Sequence, residues 1–135
     1  MDDNIRAVER LREINLVLNA AENEGNTHIL EEHLCTSTVE GGMRRPLLAI
    51  RRATGVCDGA DTFLAKVREG GDRLMILNTL QVQILGRFRA LVTCIVETKG
   101  KRYHNVRLFV RDDPNQQQWK LLGWANEEIE RESVQ

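Results

Sequence analysis

The stretch ALVTCIVET at residues 90–98, the turn Lys99-Gly100 and then RYHNVRLFVR at residues 102–111 decide the fold. Both runs are rich in β-branched and aromatic residues, and a glycine turn between them predicts two long antiparallel strands in a hairpin. Working outward, Leu74 to Leu85 and Trp119 to Trp124 carry the same signal, punctuated by Gly86-Arg87 and Asp112-Asp113-Pro114-Asn115. Four such runs make an antiparallel meander. Upstream the period changes. From Asn4 to Glu22, the residues Ile5, Val8, Leu11, Ile14, Leu18 and Ala21 recur at helical steps, with Asp2 or Asp3 placed to accept from the first free amides. After Glu24-Gly25-Asn26, Thr27 is expected to cap a short helix with apolar Ile29, Leu30 and Leu34. Thr36 to Val39 predicts a short strand ended by Glu40-Gly41-Gly42, and Leu47 to Val56 reads as a strand leading to Cys57 or a helical turn after Pro46, with Ile50, Thr54 and Val56 favouring the strand. Asp58 to Glu69 predicts a third helix, N-capped by an acid and stopped by Gly70-Gly71. Helices first and a sheet afterwards place the chain in the α+β class.

The 135 residues fit one domain, 1–135, with the acidic stretch 127–135 as a polar tail. With 41% hydrophobic and 29% charged residues, the chain has enough apolar side chains to build a core. Nineteen basic against twenty acidic side chains leave a net charge of -1, so no general field draws it to nucleic acid or to an anionic membrane. Aromatics at 4% also leave no stacking platform for single strands. Met1 to Leu11 contains no apolar run, and no later segment approaches the roughly 18 apolar residues of a membrane span. Cys35, Cys57 and Cys94 are odd in number and form no C-x-x-C pair, which points to a reducing, cytoplasmic setting without disulfides.

Metal ligation finds no support. His28 and His33 lie five residues apart, which turns them about 140° away from each other on a helix, where two ligands on one face need a four-residue step. Gly41-Gly42 is followed by no lysine-serine pair, so it is not a phosphate loop, and no cofactor is implied. The basic stretches Arg44-Arg45, Arg51-Arg52 and Lys99 to Arg102 are expected to be solvated strand edges.

Several segments carry a resemblance when taken in order. They are Leu18-Asn19-Ala20-Ala21, Ser37-Thr38-Val39-Glu40-Gly41, Asp61-Thr62-Phe63-Leu64, and Asn105 to Arg111 followed by Trp119-Lys120-Leu121-Leu122. Together with the order of elements, they make the chain resemble the nuclear transport factor two-like superfamily, which includes ketosteroid isomerase and SnoaL-like cyclases. The resemblance implies a cystatin-like cone, in which a curved antiparallel sheet wraps N-terminal helices and leaves a pocket at one end. It also implies a homodimer through the outer sheet face, where Phe109 and Trp124 are expected as anchors because large aromatics on a sheet face need covering.

Ketosteroid isomerase chemistry requires a carboxylate base and two proton donors over the developing enolate oxygen. Aligned on these segments, the chain has Ile14 and Val106 at the donor positions and Gly41 at the base position, with Glu40 as its neighbour. A histidine-carboxylate base would have to be His104 with Glu97, or with Glu40. On the third long strand the more apolar alternate set is Val106, Leu108 and Val110, with His104 in phase, and this set is assigned inward. The expected pocket is then built from Ile14, Val17, Leu18, Asn19, Val92, Cys94, His104, Val106, Leu108, Val110 and Leu122, nearly all apolar. Such a pocket suits a hydrophobic small molecule held by burial, without turnover. The alternatives are a lyase, isomerase or cyclase using His104, and a dimeric protein-interaction module.

Overall fold

The computed structural model describes residues 2–38 and 41–129. Helix α1 spans Asp3–Glu24, and the Asn4 N–H donates to the Asp2 carboxylate at 3.0 Å to cap it. It ends at Gly25, at φ 71°. A side chain there would be strained and would press against the carbonyl of Arg68, with Cβ at 3.0 Å. Ala7, Leu11, Ile14, Leu18 and Ala21 face the core, joined on the same face by Asn15 and Glu22. Ile5 was expected there and is instead 50% exposed, since it stands about 120° around the helix from Leu11.

Helix α2, Thr27–Glu32, is capped by Asn26 rather than Thr27: the Ile29 N–H donates to Asn26 Oδ1 at 3.2 Å. Thr36–Thr38 (β1) and Arg44–Pro46 (β2) form a separate antiparallel pair. The expected strand 47–56 shrinks to Ala49–Arg51 (β3), because Arg52 and Gly55 fold into a tight turn closed by Gly55 N–H donating to Arg52 O at 2.8 Å. Cys57–Asp58 (β4) follows, then helix α3, Ala60–Val67, which starts at Gly59 without a side-chain cap. The acid expected to cap it, Asp58, is held by Arg52 at 2.6 Å.

The expected strand 74–85 is two strands, Leu74–Met75 (β5) and Gln81–Leu85 (β6), lying end to end along β7 on either side of a 3-10 turn at Leu77–Thr79. Arg89–Thr98 (β7), Lys101–Val110 (β8) and Lys120–Glu128 (β9) complete the sheet in the order β4-β3-β9-β8-β7-β5, with β6 also on β7. The meander β6 to β9 is antiparallel, whereas β3 runs parallel to β9 from Ala49↔Gly123 to Arg51↔Ala125. The sheet is therefore mixed. Strand β9 also takes in Glu127 and Glu128, two residues of the stretch expected as a tail, and 130–135 lie outside the described residues.

Register settles which face is buried. Lys99 and Gly100 both have positive φ, 50° and 75°, the backbone of a two-residue hairpin turn, and they pair Thr98 with Lys101 and Val92 with Arg107. Directly opposed residues share a face. Ala90, Val92, Cys94 and Val96 face the helices, so Asn105, Arg107 and Phe109 do too. The inward assignment of Val106, Leu108 and Val110 is thus reversed: these three are half-buried on the outer face. Phe109 at 0% exposure and Trp124 at 8% are core residues, not anchors of an outer interface. A bulge after Leu108 leaves Leu122 unopposed and resets the phase of β9, which turns both Leu121 and Trp124 inward. No helix among the described residues is long and apolar enough to cross a membrane.

Candidate functional site

An open cleft of about 470 Å³ lies between the end of α1, helix α3, the 70–73 loop and the ends of β7 and β9. One wall is apolar, made by Ile50, Phe63, Val67 and Trp124. Phe63 and Trp124 meet edge to face with centroids 4.7 Å apart, which fixes the indole in place. In the lining, Asp58 accepts from Arg52 Nε at 2.6 Å and has Lys66 Nζ at 3.9 Å. Asp72, also in the lining, accepts from the Thr98 hydroxyl at 2.6 Å and from the Lys99 N–H at 3.1 Å. These two bonds, the hydroxyl first, hold the Asp72 carboxyl below its ordinary value.

The inner end is polar. Asn23 grips the backbone of Arg73, donating from Nδ2 to its carbonyl and accepting from its N–H, both at 2.7 Å, and Asn19 Nδ2 donates to the same carbonyl at 3.3 Å. The clamp holds the Arg73 side chain beside Glu22, with Nε 3.2 Å from Glu22 Oε2. That distance is right for an ion pair, yet the pair is misaligned: neither atom, nor Arg73 Nη2, has a hydrogen-bond partner among the described residues.

Behind this end lies Arg107, 1% exposed. Its Nε donates to Asn105 Oδ1 at 2.7 Å and its Nη1 to Asn15 Oδ1 at 3.2 Å, while Nη2 has no partner among the described residues. Asn105 Nδ2 donates in turn to Asn126 Oδ1 at 2.6 Å, and Asn126 lines the cleft. The guanidinium also lies 5.5 Å from the Trp124 ring centre. Burial pulls the Arg107 guanidinium below its ordinary value, nearby Arg73 adds to that, and Glu22 opposes it. Burial pushes the Cys94 thiol up, so it stays protonated and inert at neutral pH.

Few of the expected pocket residues take part. Ile14, Leu18, Val92 and Cys94 are at most 2% exposed and fill the core without lining the cleft. Val17 is 41% exposed on the far side of α1. Val106, Leu108, Val110 and Leu122 are half-buried and outside the cleft lining. Asn19 alone stands beside it, through its bond to Arg73, with Oδ1 unpartnered among the described residues. His104 is exposed on the outer face, opposite Ile95 and Glu127, and Glu97 is paired with Arg102 at 3.2 Å, so the two do not form a base. Glu40 lies outside the described residues. His28 pairs on the surface with Glu32 at 3.1 Å, and His33 Nδ1 is 2.8 Å from the carbonyl of Ile29.

Sequence reasoning missed Glu22, Arg73, Asn105, Arg107 and Trp124. The signal was present in the Lys99-Gly100 turn. A two-residue hairpin pairs Val92 with residue 107 and Cys94 with residue 105, so placing Val92 and Cys94 inward already requires Asn105 and Arg107 inward.

Comparison with solved structures finds the same architecture repeatedly. The chain is similar to an NTF-2-like protein of unknown function from Silicibacter pomeroyi, at 12% identity over 96% of this chain and 100% of that one, with a TM-score of 0.68. It is also similar to a CaMKII hub from S. rosetta, at 18% identity over 90% of this chain and 96% of that one, with a TM-score of 0.66. A cystatin-like fold protein from Burkholderia xenovorans is 11% identical over 94% of this chain and 95% of that one, with a TM-score of 0.67. The chain has the NTF-2-like, cystatin-like fold. No protein-family model and no curated protein matches it.

Proposed function

We propose that this chain is a small-molecule-binding domain that takes its ligand in the cleft beside Arg73 and Trp124 and works as a homodimer. One observation carries the reading: unpartnered polar atoms of Glu22 and Arg73, two residues that line the cleft, sit beside an apolar wall. Buried polar groups cost free energy unless hydrogen-bonded, so a ligand that supplies the missing partners is favoured. The apolar-pocket expectation gives way to a mixed one, greasy on the Phe63–Trp124 side and ionic at the inner end. Binding without turnover fits the engaged state of Asp58 and Asp72, the ion pairing of Glu22 with Arg73 at 3.2 Å and the position of His104 on the opposite face.

The homodimer is supported by the outer sheet face. Leu91, Ile95, Val106, Leu108 and Val110 stand together on β7 and β8, half-buried in the single chain, and contiguous apolar sheet faces are normally covered. Three unpaired thiols, that of Cys57 exposed, support a reducing, cytoplasmic setting.

Titration of the labelled protein with a fragment library tests the site. Binders are expected to shift the Trp124 indole resonance and leave that of the core residue Trp119 in place. A library that moves neither, or moves only outer-face residues such as Leu108, would sink the reading.

A further inference from the structure

We propose that the ligand is an organic monoanion, a single carboxylate on an apolar body, with the carboxylate held at the Arg73 end of the cleft and the body against Phe63 and Trp124. The proposal rests on the reading of the cleft as a ligand site and adds its chemical class. Charge is the first argument. The ionisable residues lining the cleft balance, with Glu22, Asp58, Glu69 and Asp72 against Arg52, Lys66, Arg73 and Lys99. Arg107, just behind the lining, leaves one positive charge over. Its hydrogen bonds go to the amide oxygens of Asn15 and Asn105, which orient a guanidinium without neutralising it. A buried cation without a counter-ion is costly, and its contact with Trp124 offsets only part of that. One negative charge from the ligand completes the site.

Donor geometry is the second argument. Arg73 Nε already faces Glu22 Oε2 at 3.2 Å, which leaves Nη2 of Arg73 in the lining and Nη2 of Arg107 behind it as donors without a hydrogen-bond partner among the described residues. A guanidinium presents its N–H groups as a planar fork that matches a planar carboxylate. Three features of the cleft argue against other anions. The surplus of one positive charge is met by one negative charge and overshot by two, which disfavours a phosphate dianion. The wall of Ile50, Phe63, Val67 and Trp124 is left wet by an inorganic ion and is covered by an apolar body. Finally, 470 Å³ lies within the range for small organic ligands.

Phenylacetate, phenylacetamide and inorganic phosphate, each titrated calorimetrically into the full chain with the Trp124 indole resonance followed in parallel, test this. Phenylacetate is expected to bind at least about tenfold tighter than phenylacetamide, with phosphate showing no binding. Arg73→Gln, which leaves the Asn23 clamp on the backbone of residue 73 intact, is expected to lower phenylacetate to the level of the amide and leave the amide unchanged. Arg107→Met serves as a second variant and should lower the same preference wherever it folds. Equal affinity for acid and amide overturns the anion assignment while the ligand site stands. Phosphate binding as tightly as phenylacetate overturns the organic class. An unchanged preference in Arg73→Gln removes the arginine from the account, and no binding of acid or amide rejects both the class and the site.

Discussion

Arg107 shows how a buried charge is tolerated when its hydrogen bonds come from several elements. Asn15 of α1 and Asn105 of β8 both aim amide oxygens at it, and Trp124 of β9 lies under it. Replacing it with leucine removes the desolvated charge but leaves two buried acceptors without donors, each of which costs about 1–3 kcal/mol. Arg107→Leu is expected to lower stability by about 2 kcal/mol in urea denaturation. An unchanged midpoint would mean that the two amides re-pair. Asp72 makes a separate prediction. Its folded-state value is lowered by Thr98 and Lys99, so its contribution is complete above the ordinary 3.8 and disappears as the pH falls through the lower folded value. Asp72→Asn should therefore flatten the acid limb of a stability-against-pH curve, and a limb of wild-type steepness would assign that sensitivity to other carboxylates.

At the scale of elements, the contact of β3 with β9 is the most exacting. Gly123 permits the parallel pairing because a Cβ there would stand 2.5 Å from the carbonyl of Ala49. Gly123→Ala is expected to push β3 away and cost about 2 kcal/mol by overpacking, read from thermal unfolding. Amide exchange of Ile50 should rise with it, and protection equal to wild type would show that the strands slide instead. Most elements were legible in the sequence because local signals carry them: the 3.6 period of α1, the Gly25 stop and the Lys99-Gly100 turn. Those that were misjudged depend on distant partners. Residues 74–85 break at Leu77–Thr79 because the Ile95 N–H donates to Thr79 Oγ1 at 2.8 Å, a bond that no local pattern announces.

For the whole molecule, the outer sheet face makes the testable claim. Leu108→Lys places a charge in the half-buried stripe without touching the core, so folding stability should change by no more than about 0.5 kcal/mol. Sedimentation should then shift from dimer to monomer. A wild-type chain that sediments as a monomer at every concentration removes the homodimer from the account.

Hydrophobic period and turn chemistry alone determined the α+β class of this protein, its helices α1, α2 and α3 and the turn that joins its two central strands. Alternation along β8 by itself shows only that its two faces differ, and the inward face follows only when the hairpin register is read together with the inward Val92 and Cys94 of β7. The apolar set Val106, Leu108 and Val110 looked like a core, and the polar set Asn105 and Arg107 became one only through residues far away in the chain. Asn15 satisfies Arg107 across 92 positions. A buried polar group is stable only once its partners are in place, and for this chain only the tertiary structure assembles them.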